Sequence, residues 1–382
     1  MTKKKFALFG CGMFGANHVK ELDKRDDAEI VALVDPNKDI RLRLIDGSRS
    51  LSQNRPIEFA DPVSFFESDI DYDAGLVVTQ PQHMYKIARG LLENGKHAYV
   101  EKPFAISSED ARKLVELANE KNLVLTVGAN RCVYPAYRTA ANALRNGEIG
   151  NAEAFLLYYR RRFPYWKNEN QTWRDNPSVP GSGLLFDQGS HFNIYLFGSL
   201  GFKPSKVRLL QTKLNDSGVD IADAYKLTDP NGRTALILMD GTYQGDDRTE
   251  LIKIYGDSGT ITVRFEGNSS NAYLLKGGKE TCLDKTAAIA EARYLGIEDP
   301  TSHPALVHNF VSQLTGATET NASPANYGYL SVRTIDAINR SRGLGPEEHA
   351  KPLRYSRQLT EDVHKLGSIL NPYTPTGFEL DI

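Results

Sequence analysis

Residues 5–35 read KFALFGCGMFGANHVKELDKRDDAEIVALVD. One short apolar run, KFALF, stops at Gly10, and a second, IVALV, stops at Asp35. Between them a helical pattern opens at about Met13. Gly10-Cys11-Gly12-Met13-Phe14-Gly15 fits GxGxxG, a weak signal by itself in a chain with 31 glycines. Its setting makes it specific, because a strand precedes it, a helix follows, and an acid ends the next strand twenty residues beyond Gly15. That is the opening of a βαβ unit built to hold a dinucleotide. Gly10 permits the tight turn, Gly12 lets backbone amides approach a pyrophosphate, and Gly15 lets the helix pack closely on the strand and aim its positive end at phosphate. Gly10, Gly12, Met13, Phe14 and Gly15 are therefore candidate cofactor residues. Asp35 would hydrogen-bond a ribose 2′-hydroxyl and repel a 2′-phosphate, so NAD is favoured over NADP. Lys38 and Arg41 are near enough in sequence to soften that repulsion; the plainer reading makes them a solvated surface pair.

Working outward, AGLVV, HAYV and VLTVGA continue the alternation of short apolar runs and helical patterns to Ala129. This predicts a doubly wound parallel sheet with helices on both faces, a Rossmann domain over residues 1–130. Ser107 or Ser108, followed by Glu109 and Asp110, predicts the start of a helix. After Arg131 the texture changes. A helix over about 135–146 leads to a strand over 152–162, a loop over 163–181 and a helix over about 184–200. Strand-like runs follow at 205–213, 221–228, 233–240, 251–256 and 259–265, then helical patterns at about 304–315 and 324–342. These predict a second, α+β domain over 131–382 with a large open, mostly antiparallel sheet. The tail from about 345 is too irregular to assign.

Composition excludes several classes. The chain has 382 residues, enough for two cores, and its 46 Lys and Arg nearly cancel 48 Asp and Glu, so no global field draws it to nucleic acid or an anionic membrane. The basic start is broken by glycines before any signal-peptide core, and no window approaches a membrane span. A cytoplasmic location is expected. Cys11, Cys132 and Cys282 are odd in number and widely spaced, which predicts reduced thiols and no metal.

Residues 79–103 read TQPQHMYKIARGLLENGKHAYVEKP, and a Rossmann start followed by such a GKHxxxEKP segment resembles the Gfo/Idh/MocA family of sugar and inositol dehydrogenases of the glucose-fructose oxidoreductase type. The likeness continues through NRCVYPAYR (130–138), GEIGNAEAF (147–155), GSGLLFDQGSH (181–191), YGDSGTITV (255–263) and SPANYGYLSVRTIDAINRS (323–341). It implies that Lys102, Asp187 and His191 line the reaction centre. It also implies that Thr79, Gln80, Pro81, His83, Glu101, Lys102 and Arg131 contribute to the cofactor site. The chain departs from the family pattern at Met84, where many members carry His, with His83 one position earlier, and at Ile194, where many carry Asp.

The chemistry suits these residue types. Oxidising an alcohol needs a base at the hydroxyl while the carbon is held at the nicotinamide. His191, with an unperturbed pKa of about 6.5, suits the proton. Asp187 lies four residues earlier in a predicted helix, on the same face, where it could orient the imidazole. Lys102 could stabilise developing alkoxide charge. For the substrate, Tyr159, Arg160, Arg162, Phe163, Tyr165, Trp166, Trp173 and Arg174 concentrate cations and aromatics ahead of the Asp187 motif. Aromatic faces stack on sugars and guanidinium groups bind carboxylate or phosphate, so an anionic sugar is a candidate ligand. Tyr159, Arg160, Arg162, Trp173 and Arg174 join Arg131, Asp187 and His191 as substrate candidates; an ion-paired sheet or subunit surface is the competing reading. Three functions fit: an NAD-dependent dehydrogenase of a sugar or cyclitol, a redox-neutral glycosidase that oxidises transiently, and a non-catalytic sugar or NAD sensor. The resemblance further implies a homodimer or homotetramer.

Overall fold

β1 (Lys4–Phe9) opens a series of short strands, each followed by a helix: α1 (Met13–Leu22), β2 (Ala28–Val34), α2 (Lys38–Gly47), α3 (Arg49–Gln53), β3 (Ile57–Phe59), α4 (Pro62–Phe66), β4 (Ala74–Val77), α5 (Pro81–Glu93), β5 (His97–Glu101), α6 (Ser108–Glu120) and β6 (Leu125–Gly128). The computed structural model describes residues 3–164, 173–245, 247–266, 269–342 and 379–381. The six strands lie in the order β3-β2-β1-β4-β5-β6, and every pairing is parallel. β4 and most of β1, β2, β5 and β6 are buried, as expected when helices cover both faces. The order reverses between β1 and β4, and ligands of doubly wound sheets bind beyond the strand ends at that switch point. Ser107 caps α6, its side chain accepting from the Asp110 amide at 3.1 Å. β3 went unseen in the sequence because it is only three residues long and starts on an exposed Ile57.

The second sheet follows α7 (Pro135–Arg145). Its strands are β7 (Ala152–Arg160), β8 (Lys206–Leu214), β9 (Asp220–Thr228), β10 (Thr234–Asp240), β11 (Thr249–Gly256), β12 (Thr260–Glu266), β13 (Ser269–Lys276) and β14 (Lys279–Cys282), with α8 (Ser190–Gly198) between β7 and β8. Then come α9 (Thr286–Tyr294), α10 (Leu306–Leu314), α11 (Ala325–Arg342) and the short β15 (Glu379–Asp381). The order is β14-β13-β12-β11-β7-β10-β9-β8-β15, and β7 with β10 is the one parallel pair among these strands. One face of β7 presents Phe155 and Tyr159 to Phe202 and Phe192, with ring centroids at 5.5 and 6.1 Å. The opposite face carries Ala154, Leu156 and Tyr158, clustered with Leu236, Leu238 and Tyr255.

The two units are not contiguous halves. One comprises residues 1–133 and 289–332, the other 134–288 and 333–382. The division at 130/131 therefore needs a second crossing, since the helical pattern at 304–315 was expected in the second domain and α10 belongs to the first unit. The chemistry of α10 explains this. His308 Nε2 pairs with Glu21 of α1 at 2.8 Å, and the Phe310 ring packs on Phe6 and Tyr99 at 6.2 and 5.9 Å. The segment ahead of α11 then extends β6, where the Val127 amide donates to the Ser323 carbonyl at 2.9 Å. Among the described residues no helix is long and apolar enough to cross a membrane.

Candidate functional site: a dinucleotide cradle and an acid–histidine segment

In the first unit the cradle is built by sterics. Gly10 has φ +95°, and a Cβ there would stand 2.5 Å from the Val78 carbonyl oxygen. A Cβ on Gly15 would collide with the Gly10 carbonyl, so helix and loop meet at backbone distance. A Cβ on Gly12, by contrast, would meet no protein atom within 4 Å. Gly12 is the N-cap of α1, offers no side-chain cap, and is followed by no acid in the first turn. The first amides of this helix thus face open space beneath a glycine, as a pyrophosphate requires. Met13 is exposed there, while the Phe14 ring turns onto His303 at 5.2 Å.

Asp35 Oδ2 accepts from the Cys11 amide and Oδ1 from the Asn37 amide, both at 2.9 Å. Each oxygen keeps a lone pair for a ribose hydroxyl, so the residues fit NAD. Arg41 is not a solvated cation: it is buried, pairs with Glu58 at 3.2 Å and donates to the Asp35 carbonyl. Of the TQPQH segment, Pro81 starts α5 with Gln80 as its N-cap, and Thr79 Oγ donates to the Gln80 carbonyl at 3.3 Å. His83 is exposed, whereas Met84 fills the core at the position where many family members carry His.

Glu101 ends β5, with Lys102 next in the chain, and both are buried. Glu101 was expected to contact the cofactor, but its oxygens are engaged inside the protein. Oε1 accepts from His18 Nε2 at 3.0 Å and the Tyr99 hydroxyl at 3.3 Å, and Oε2 from the Lys102 amide at 3.2 Å. Burial pushes its carboxyl pKa up, but the His18 hydrogen bond and the charges of His18, His303 and Lys102 outweigh it and hold the pKa below the usual value. His18 and His303 escaped sequence reasoning. The only signal for His18 was its place on the inner face of α1, with Gly15, Val19 and Leu22. Arg131 is buried in a short 3-10 turn, Asn130–Cys132.

In the second unit, the helix expected over about 184–200 is instead a π-turn, Leu185–Gly189, running into α8. Asp187 sits in the π-turn and His191 in α8, both buried, so their spacing of four is not simple α geometry. A π-turn inserts an extra residue per turn and leaves no composition signal. The turn is anchored at its start, where the Leu185 amide donates to Asp220 Oδ2 at 2.7 Å. Arg174 Nε lies 3.3 Å from Asp187 Oδ1, and the Arg174 guanidinium stacks on Trp173 at 4.4 Å. Arg174 is thus the cation of Asp187 before it is anything to a substrate. Ile194 is buried in the α8 core.

Tyr159 faces Phe192 of α8, so strand alternation sends Arg160 to the opposite face, where its guanidinium lies 4.2 Å from the Tyr243 ring. The structure therefore places Arg160 on the face of β7 opposite Tyr159, at the strand's last residue, and Arg162 beyond that end. Tyr165 and Trp166 lie outside the described residues.

A first unit so shaped is the dinucleotide half of an NAD-linked oxidoreductase, and family models agree. Residues 4–129 match "Oxidoreductase family, NAD-binding Rossmann fold", and residues 137–262 match "GFO/IDH/MocA C-terminal domain". The chain belongs to the Gfo/Idh/MocA oxidoreductase family. It is 29% identical over 160 residues to an uncharacterized oxidoreductase of Schizosaccharomyces pombe, a match spanning 42% of each chain, less than half that relative's length. It is 26% identical to D-apiose dehydrogenase of Paraburkholderia graminis, over 69% of this chain and 68% of that one. The WlbA dehydrogenase of Bordetella pertussis, solved with NADH and UDP-GlcNAcA, shares the fold with a TM-score of 0.75 at 21% identity, covering 90% of this chain and 97% of that one.

Proposed function

We propose that this protein is an NAD-dependent dehydrogenase of a secondary alcohol in a sugar or cyclitol, with Lys102, Asp187 and His191 serving the reacting hydroxyl. The observation that carries this reading is the cradle: an uncapped α1 N-terminus beneath an open Gly12, with Asp35 held at the tip of β2. Bound NAD would accept the hydride. The protein's own groups must bind and orient the alcohol, take its proton and offset charge on its oxygen. His191 takes the proton, as an imidazole can near neutral pH. Asp187, held by Arg174, orients and balances it. Lys102 steadies the alkoxide. Arg131 and Trp173 complete the substrate contacts. The D-apiose dehydrogenase likeness favours net oxidation over redox-neutral cleavage.

The test is absorbance at the NADH band with NAD or NADP across inositols, neutral sugars, uronates and sugar phosphates. One substrate class should respond, and the rate should fall at least about a hundredfold in Lys102→Ala and His191→Ala, the loss typical of a missing acid–base or electrostatic group. Full activity in either variant would remove that residue from the mechanism.

A further inference from the structure

We propose that His18 is a positioning residue for Lys102, acting through Glu101: the cofactor helix α1 and the strand β5 that ends at the lysine are tied by one buried hydrogen bond. This rests on the reading of Lys102 as the group at the reacting oxygen. The geometry is specific. His18 Nε2 and Glu101 Oε1 are 3.0 Å apart, and their side chains are 1% and 9% exposed. The other carboxylate oxygen accepts the backbone N–H of Lys102 itself. The turn that presents the ammonium is therefore fixed by a carboxylate that His18 fixes in turn. The pocket is shaped for that carboxylate, because a Cβ on Gly128 of β6 would stand 2.7 Å from Glu101 Oε1. The His18 ring is held edge-on to Tyr99, with centroids 5.1 Å apart.

An apolar pair would fill such a space with less desolvation, so a buried acid with a histidine partner marks a group kept for what it orients. The charged and titratable groups acting on the pair are Tyr99 of β5, Lys102 just beyond that strand and His303 from the segment ahead of α10, and Arg131 from the turn after β6 acts in turn on His303. His18 is also one turn beyond Gly15, on the helix whose uncapped N-terminus would receive the pyrophosphate of a bound dinucleotide. Through this pair, the helix that holds the cofactor also sets the lysine.

The test uses the NAD-saturated full chain and needs no substrate. Glutamate labelled at the side-chain carboxyl carbon reports the Glu101 titration midpoint by NMR, assigned with Glu101→Gln, and amide exchange reports the Lys102 N–H. His18→Phe keeps the ring and removes the donor. It should raise the Glu101 midpoint by at least one pH unit and speed Lys102 exchange at least tenfold, while the NADH Kd moves less than threefold. His18→Gln, which restores a donor but no charge, should return Lys102 exchange to wild type and bring the Glu101 midpoint back down from its His18→Phe value. Unchanged readouts in His18→Phe, or failure of His18→Gln to move them back while it binds NADH normally, overturns the proposal. Should His18→Phe not fold, His18→Ala serves as the donor-less variant and is judged by the same two readouts: a raised Glu101 midpoint with faster Lys102 exchange upholds the proposal, and unchanged values overturn it. Full turnover in Lys102→Ala would instead sink the reading of Lys102, leaving the His18–Glu101 result to stand separately.

Discussion

Both carboxylate oxygens of Asp35 are steadied by backbone amides, so its charge is held where, in the cofactor site we propose, a ribose 2′-hydroxyl or a 2′-phosphate would come. A hydrogen bond to a charged group contributes ~1.5–3 kcal/mol. Asp35→Ser should therefore weaken NAD binding about tenfold or more and lift the repulsion of NADP, moving the ratio of the two Kd values at least tenfold in fluorescence titrations. An unmoved ratio would show that Asp35 does not select the cofactor. Asp35 was legible in the sequence because its partners lie within one βαβ unit. Glu101 was not, because His18 lies 83 residues away and only the folded sheet brings them together. The surroundings of Arg160 were not legible for another reason. Its strand was foreseen, but which face of β7 meets α8 is decided by Tyr159 and Phe192, and no spacing rule states that.

Within elements, two glycines of the same loop should separate stability from binding. At Gly15 a methyl would strike the Gly10 carbonyl, and such overpacking costs ~1–3 kcal/mol. At Gly12 a methyl meets nothing of the protein and, in the cradle we propose, would stand in the way of the pyrophosphate. Calorimetry should find Gly15→Ala clearly less stable. Gly12→Ala should lose less, ~1 kcal/mol or under, the margin by which Ala is the poorer N-cap, but bind NAD at least tenfold more weakly. Gly12→Ala with wild-type NAD affinity would mean that this loop is only a turn. The glycines, the α6 cap and most strands of both sheets were readable because periodicity and turn chemistry are local. The π-turn under Asp187 was not, because it is set by the Asp220 anchor reaching Leu185 from β9.

At the scale of the molecule, one buried acid cluster answers to pH. Asp220 and Asp223 of β9 share the Arg342 guanidinium at the end of α11. Burial first, then the Asp220 charge, push the Asp223 pKa well above its ordinary value, against the pull of Arg342. A folded-state pKa raised above the unfolded value of about 3.9 means stability that is full in acid and lost as pH rises toward the folded pKa. Asp223→Asn cannot ionise, so the difference between its Tm and that of wild type should grow in its favour from pH 4 to pH 8. A constant or shrinking difference would contradict the assignment. The two-domain plan was legible, but the return of residues 289–332 to the first unit was not, because it depends on His308 finding Glu21 and on Ser323 pairing with β6.

Hydride transfer from a sugar carbon to NAD would carry a carbon-bound isotope onto the nicotinamide. The wild-type chain is incubated with NAD and a mixture of carbon-deuterated sugars, cyclitols and sugar acids, and the nicotinamide is examined by mass spectrometry. One deuterium is expected on the reduced nicotinamide, absent with His191→Ala. Nicotinamide that binds yet stays unlabelled across the whole mixture would contradict it.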